Sequence, residues 1–433
     1  MKMYRNFEVK LKDWKKNSKK PLMLIGARQT GKTYVLKKFC EENFDNFYYF
    51  NLEKEIEIAN IFKTTLDSQK IIEQIEIIIG DRINISNTVI FFDEIQVCEE
   101  AITSLKYFCE SSIDYKIICA GSLLGVKLNR LKSSFPVGKV DIEYLYTMNF
   151  QEFLLACGED LLIKEIKKHY MNNEPLSSTI HEKALDLYKK YLVLGGMPDL
   201  VQNFIDNGKN ISHVNYDLQR DIIDSYLFDM NKYTKNDVSV KNTIVYNTIP
   251  SVLALENTTF KFSIIDKNAR RERYQNSLDW LEDSNMIYKC YLANRNNSPF
   301  MAYKNEEKFK LYLNDSGLLR SLANIEYNEI LLDKNDMFKG ALVENYVARE
   351  LYPKYRELYY YRFNKYEIDF LIKLDGDVIP VEVKSSKRTT SKSLNAYIEK
   401  YNPVYSIRIS EKNFGFDNGI KSVPLYAVFC IYN

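Results

Sequence analysis

The sequence predicts an α/β chain: a parallel-sheet domain at the N-terminal end, a helical middle, and a second α/β domain at the C-terminal end. Three stretches support this. LMLIGARQTGKTYVLKKFCEE, residues 22–42, reads as strand, Gly-rich loop and helix; TVIFFDEIQ, residues 88–96, reads as a buried strand ending in two acids. YEIDFLIKLDGDVIPVEVKSS, residues 366–386, reads as a hairpin interrupted by charge.

The totals set the frame. A chain of 433 residues suggests two or three domains. With 45% hydrophobic and 27% charged residues, the composition is that of an ordinary globular protein. Lys plus Arg number 60 against 58 Asp plus Glu, which excludes a histone-like or acidic-tail protein and leaves local basic faces open. No apolar leader follows Met1 and no apolar run reaches spanning length, so no membrane association is expected. Seven cysteines without a CxxC pair read as free thiols of a reducing, cytoplasmic compartment. His169, His181 and His213 are far apart, which argues against a zinc site or a His-based triad.

The first motif has the spacing Gly26-x4-Gly31-Lys32-Thr33 between a strand and a helix. Its glycines let backbone N–H groups turn toward phosphate oxygens, and the helix N-terminus adds partial positive charge. Lys32 is placed to reach the β- and γ-phosphates of ATP, and Thr33 to hold Mg²⁺. The second motif puts Asp93 and Glu94 at the C-terminal edge of a parallel strand, where open α/β sheets bind ligands. Asp93 would organise the Mg²⁺ shell and Glu94 would polarise the attacking water. A third strand, YKIICAG, ends at Ser122. Ser122 is read either as a contact to the γ-phosphate or its water, or as an N-cap.

These strands, in this order, resemble an AAA+ ATPase. The phrases FPVGKVDIEYLYTMNFQEFLLACG and YLVLGGMPDLVQNF are similar to those of bacterial and archaeal AAA+ ATPases of the AAA_14 type with a C-terminal DUF4143-type domain. The resemblance implies an AAA+ core at 1–150, a helical lid at 151–205, a helical, winged-helix-like region at 206–330 and a C-terminal domain at 331–433. It also implies a homo-oligomer, a hexameric ring or another assembly. Such assemblies use an arginine from a neighbouring subunit, and many relatives have Gly-Arg where this chain has Gly138-Lys139. Lys139 is a poorer bidentate donor, and Arg130 is the nearby alternative.

In the middle, SIIDKNARRERYQNSLDWLEDSNMI followed by KCYLA has the helix-then-strand order of a winged-helix unit. Such units place a helix on DNA. Arg270, Arg271 and Arg273 would serve that contact, or form a solvated helix face with Glu272.

In the hairpin, Asp375-Gly376 is a favoured two-residue loop. It sets Leu374 against Asp377 and carries Asp369 opposite Glu382, with Cβ atoms about 5 Å apart. Lys384 shares their side, while Ile368, Phe370, Ile372, Ile379, Val381 and Val383 share the other. Two like charges opposite each other need compensation. Either Lys384 supplies it in a plain salt-bridged face, or a divalent cation bridges the carboxylates and Lys384 stabilises the attacking water or the phosphorane. Pro380 lacks a ladder donor and so suggests an edge position, a bulge or a strand start.

This pattern resembles the PD-(D/E)xK nucleases, which share the restriction-endonuclease fold. The resemblance implies Asp369 and Glu382 as metal ligands, and a catalytic set of Asp369, Glu382 and Lys384. Glu344, on the helix GALVENYVARELY, either extends toward the metal or is an exposed helix acid. Lys387, Arg388, Ser391 and Lys392 follow as candidate phosphate contacts. The expectation is an ATP-hydrolysing protein acting on nucleic acid, DNA first, with a metal-dependent nuclease domain. The alternative is an ATP-switched binding regulator whose nuclease-like domain is silent.

Overall fold

The computed structural model describes residues 3–122, 125–126, 136–234, 236–255, 258–265, 267, 269–386 and 392–432. The chain divides into two compact units. One holds residues 4–146 with 283–285; the other holds 1–3, 147–282 and 286–433.

The N-terminal unit is a five-stranded sheet built from β1 (Leu22–Ile25), β2 (Asn46–Asn51), β3 (Thr88–Asp93), β4 (Lys116–Gly121) and β5 (Asp141–Tyr144). The spatial order is β2-β3-β4-β1-β5, and every pairing is parallel. Alternation explains why the strands read as continuous apolar runs. Leu22, Leu24, Val89, Phe91, Ile118 and Ala120 enter one core, with the helices Phe7–Asn17 and Lys32–Asn43. Met23, Ile25, Ile90, Phe92, Ile117 and Cys119 enter the other, under the helices Ile56–Thr64, Ser68–Ile79 and Glu99–Glu110.

The second unit begins with the helices Phe150–Ala156, Asp160–Asn172, Ser178–Leu194, Pro198–Asp206, Asp217–Tyr233, Asn236–Leu253 and Arg271–Asp283. They lead into a mixed sheet of β6 (Ile287–Ala293), β7 (Lys304–Leu313), β8 (Leu358–Phe363), β9 (Tyr366–Leu374), β10 (Asp377–Val383), β11 (Ser406–Ser410), β12 (Gly415–Asp417) and β13 (Ile420–Pro424). The order is β12-β13-β11-β10-β9-β8-β6-β7. The strand read from KCYLA as the wing of a winged-helix unit is β6. It pairs with β7 and, in parallel, with β8, so it is an internal strand of this sheet. All seven of its residues are buried, which suits an internal strand.

A buried ion pair joins the helices of this unit to its sheet layer. Arg349, on the helix Asp336–Tyr355, donates to Thr147 Oγ1 at 3.0 Å, to the Thr147 carbonyl at 2.9 Å and to Glu350 Oε1 at 2.5 Å. It also bonds the Met148 carbonyl and the Tyr191 hydroxyl. Glu350 accepts from the Phe150 N–H at 3.0 Å. The GGMP phrase belongs to the same unit. The Gly196 N–H donates to Asp315 Oδ2 at 2.6 Å, and Asp315 Oδ1 accepts from the Leu318 N–H at 3.0 Å at the start of the helix Ser316–Leu322.

Candidate functional site

The first site forms at the C-terminal ends of β1, β3 and β4. Gly26 follows β1 directly, and a Cβ there would lie 2.2 Å from the Leu145 carbonyl oxygen, so only glycine fits. Gly31 turns left-handed (φ 87) into the helix that starts at Lys32. Lys32 is buried, its ammonium donating to the carbonyls of Gly26 at 2.9 Å and Ala27 at 2.8 Å. Thr33 Oγ1 donates to Asp93 Oδ2 at 2.8 Å. The structure therefore joins two residues 60 positions apart in sequence. A hydroxyl and a carboxylate so placed beside a Gly-rich loop are the donor set that fits the Mg²⁺ of a bound nucleotide. Ser122 is buried directly after β4, whose Gly121 lies level with Ile25 of β1.

Three neighbours of this site carried no sequence signal. Tyr49, on β2, donates its hydroxyl to Asp93 Oδ2 at 3.0 Å and lies under the Lys37 ammonium, 3.4 Å from the ring centre. Burial, followed by the Asp93 charge, pushes Tyr49 up to about 12, so it is a protonated donor at neutral pH. Gln96 donates to Glu94 Oε2 at 2.6 Å. Glu94 itself sits in the left-handed region (φ 52), a costly backbone conformation for a non-glycine residue. Arg5, before the first helix, donates to the carbonyls of Thr30 at 2.7 Å and Tyr146 at 2.6 Å, and so braces the Gly-rich loop from outside the motif. Lys139 pairs with Glu110 at 3.0 Å in an exposed bridge, and Arg130 lies outside the described residues.

Residues 18–154 match the AAA domain family. The chain carries a P-loop AAA ATPase domain. Residues 185–329 and 339–428 match two domains of unknown function, DUF8612 and DUF4143. Among solved structures, the Walker-type ATPase PABY2304 of Pyrococcus abyssi aligns at 14% identity over 74% of this chain and 96% of its own, with a TM-score of 0.47. The ORC2 protein of Aeropyrum pernix aligns at 10% identity over 73% of this chain and 89% of its own, TM-score 0.35. The ORC1 protein of the same organism, in complex with DNA, aligns at 13% identity over 76% and 93%, TM-score 0.29. No curated protein matches the sequence. Among the described residues, no helix is long and apolar enough to cross a membrane.

Outside the AAA domain, the hairpin of the second unit has the expected register. Asp375 (φ 50) and Gly376 (φ 98) are both left-handed, as a type I′ loop requires. Leu374 lies opposite Asp377 and Phe370 opposite Val381, one step before Asp369 and Glu382. The edge position suggested by Pro380 is not found, because β10 lies between β9 and β11. Pairing with β11 begins only at Val381, so the missing N–H of Pro380 precedes that ladder.

Asp369 Oδ2 accepts from the Val383 N–H at 2.7 Å. Lys384 Nζ lies 2.6 Å from Glu382 Oε1. Glu382 is buried, and its Oε2 has no hydrogen-bond partner. Burial, then the charges of Glu382 and Glu344, push Asp369 well above the usual carboxylate range. A buried carboxylate oxygen without a donor, beside a second carboxylate that resists ionising, is a pair that a divalent cation relieves. Among the described residues no group of three His, Cys, Asp or Glu side chains is placed to hold a metal ion. Mg²⁺ does not demand one, since it keeps several waters and binds through one or two carboxylates.

A cavity of about 400 Å³ opens here, lined by Glu344, Glu367, Asp369 and Lys384 among others. Glu344 faces it, with Oε1 accepting from Lys310 Nζ at 2.8 Å and from the Tyr312 hydroxyl at 2.5 Å. Lys310 also reaches Glu367 at 2.7 Å. Burial opposes its charge, yet Glu344, Glu367 and Asp369 together hold the ammonium well above the ordinary lysine range. Lys310 and Glu367 complete the electrostatics of the site and had not been singled out. The one signal was a lysine inside the apolar end of β7, FKLYL. Lys392 is exposed at the start of the helix Lys392–Tyr401, and Lys387, Arg388 and Ser391 lie outside the described residues.

Proposed function

We propose that the protein hydrolyses ATP to drive or gate action on nucleic acid, DNA in the first instance. The observation that supports the ATPase part is the Thr33–Asp93 hydrogen bond of 2.8 Å beside the Gly-rich loop. In this reading Lys32 turns from the loop carbonyls to the β- and γ-phosphates. The loop N–H groups hold the phosphate oxygens. Thr33 and Asp93 would hold Mg²⁺, whose charge would offset the negative charge that develops as the γ-phosphoryl passes from ADP to water. Glu94 takes the proton of the attacking water, steadied by the Gln96 amide, and Ser122 lies toward the γ-phosphate. Arg130 or Lys139, from a neighbouring copy in a homo-oligomeric ring, would meet the transition-state charge.

The second site, in this proposal, is a PD-(D/E)xK-type centre on a restriction-endonuclease-like domain. Asp369 and Glu382 would hold a divalent cation and Lys384 would orient water at the phosphodiester, while Glu344, held by Lys310 and Tyr312, faces the same cavity. What supports it is Glu382 Oε2, buried without a hydrogen-bond partner, on the strand beside Asp369. A specific observation favours the second reading, a silent domain that only grips its partner. Lys310 already neutralises Glu344 and Glu367 and leaves fewer carboxylates for metal.

Cleavage of linear, circular and single-stranded DNA with Mg²⁺ or Mn²⁺, with and without ATP, separates the two. Wild type is compared with Lys384→Ala and Lys32→Ala. Cleavage lost in Lys384→Ala supports the nuclease, and the Lys32→Ala result tells whether ATP gates it. ATP hydrolysis without cleavage of any substrate removes the nuclease in favour of the grip.

A further inference from the structure

The Gly-rich loop is held in a shape that its own residues do not all favour. Gln29 (φ 62) and Gly31 (φ 87) are both left-handed, and Thr30 between them is not. Alternation of hand along successive residues turns their N–H groups to one side and makes an anion-binding concavity. Glycine takes the left-handed conformation freely, whereas Gln29 has a Cβ and is strained there. Strain of this kind persists only where the surroundings impose it.

Here the constraint comes from outside the loop. Arg5 is buried, and its guanidinium donates to the Thr30 carbonyl at 2.7 Å, at the centre of the alternation. Its other arm donates to the Tyr146 carbonyl at 2.6 Å, just past the end of β5. The guanidinium is a planar fork, so two carbonyls fix its orientation as well as its place. Arg5 is itself set by the helix it precedes. Its N–H donates to Glu8 Oε1 at 3.4 Å, and Glu8 pairs at 2.7 Å with Lys38 of the helix Lys32–Asn43. Phe7, Leu11 and Trp14 share one core with Val35, Leu36 and Phe39 of that helix.

A trans peptide is planar, so its C=O and N–H point in opposite directions. A cation fixed on the Thr30 carbonyl therefore turns the Gly31 N–H the other way. It also polarises the peptide, which makes that N–H a stronger donor. We propose that Arg5 is a positioning residue of the ATP site, holding the Thr30–Gly31 peptide with its N–H toward the phosphates. Without Arg5 the same peptide is free to turn its carbonyl, a partial negative charge, toward those oxygens. The proposal rests on the reading of the Gly-rich loop as the phosphate site and adds to it a residue that the motif does not contain. The contact acts on bound nucleotide before and during hydrolysis alike, so its loss is read in binding more than in turnover.

The test measures ADP binding with Mg²⁺ and steady-state ATP hydrolysis by the full chain as wild type, Arg5→Ala and Arg5→Lys. Arg5→Ala is expected to weaken ADP binding and raise KM for ATP, each by about tenfold, as for the loss of one hydrogen bond to a charged group, with kcat little changed. Arg5→Lys reaches one carbonyl at a time and recovers part of the loss. Urea unfolding in a Trp280→Phe background, which leaves Trp14 to report the first unit, separates positioning from stability. At a fixed ADP concentration the ADP-induced rise of the midpoint shrinks in Arg5→Ala, beyond any drop seen without nucleotide. An ADP Kd and an ADP-induced rise as in wild type, even in a less stable protein, overturn the proposal. Should Arg5→Ala not fold, Arg5→Lys decides by the same two readouts. If wild type binds no ADP, the ATPase reading falls and the proposal with it. If wild type binds ADP and the Arg5 variants bind it equally well, only the assignment of Arg5 falls.

Discussion

The two sites of this chain are assembled in opposite ways. The Gly-rich site of the AAA domain is a contiguous loop plus one distant strand end, joined by the Thr33–Asp93 hydrogen bond. The C-terminal cavity gathers side chains from β7, β9, β10 and a helix, and its chemistry is balanced charge: Lys310 between Glu344 and Glu367, and Lys384 on Glu382. The first kind of site rests on a few side chains, Lys32, Thr33 and Asp93, that one loop and one strand end set in place. The second depends on every partner, since removing one charge leaves another buried and uncompensated.

That contrast can be broken or sharpened by substitution. The largest effect is expected from Lys32→Ala, which removes a charge placed for the transition state. Phosphate release should fall by about 10²–10³-fold, while the urea transition of the other unit is unchanged. Next comes Arg349→Ala, which strands buried Glu350. The second unit should lose about 3–5 kcal/mol. The chain has two tryptophans, Trp14 in the first unit and Trp280 in the second. Urea unfolding in a Trp14→Phe background therefore reads the second unit alone.

A smaller change is expected at Tyr49→Phe, which removes one of the two hydroxyls on Asp93 Oδ2. Nucleotide binding should then need roughly three- to tenfold more Mg²⁺, the worth of one hydrogen bond, measured by titrating Mg²⁺ against a fluorescent ATP analogue. The smallest is Gly376→Ala. A side chain at φ 98 strains the hairpin loop by about 1 kcal/mol, visible as a small shift of the Trp280 transition. If Gly376→Ala were to match Arg349→Ala in size, the hairpin turn rather than the buried ion pair would dominate the stability of this unit.

What was legible in the sequence follows the same divide. The Gly-rich loop and the acidic strand end were readable because spacing along the chain fixes their geometry. The hairpin register was readable because Asp375-Gly376 admits a two-residue turn that leaves no freedom to slip. Tyr49, Arg5 and Lys310 were not readable, since their roles come from strand order and from residues up to 141 positions away. The place of β6 was not readable for a related reason. A helix followed by a hairpin looks the same in sequence whether the hairpin stands free or is absorbed by a later strand. Only the parallel pairing of β6 with β8 decides it. Pro380 sits in an internal strand instead of an edge because pairing with β11 begins only at Val381, one residue later, so its missing N–H costs no bond on that side.

The place of β6 and β7 in the eight-stranded sheet has a consequence for how such genes can be cut and recombined. The matches at 185–329 and 339–428 look like separate modules, yet the first contributes two strands to the sheet of the second. A C-terminal piece taken from residue 339 would bare the side of β8 that β6 occupies, a row of unpaired N–H and C=O groups inviting aggregation. Such a piece does not travel alone. Shuffling between relatives would have to move both matched segments as one inheritance.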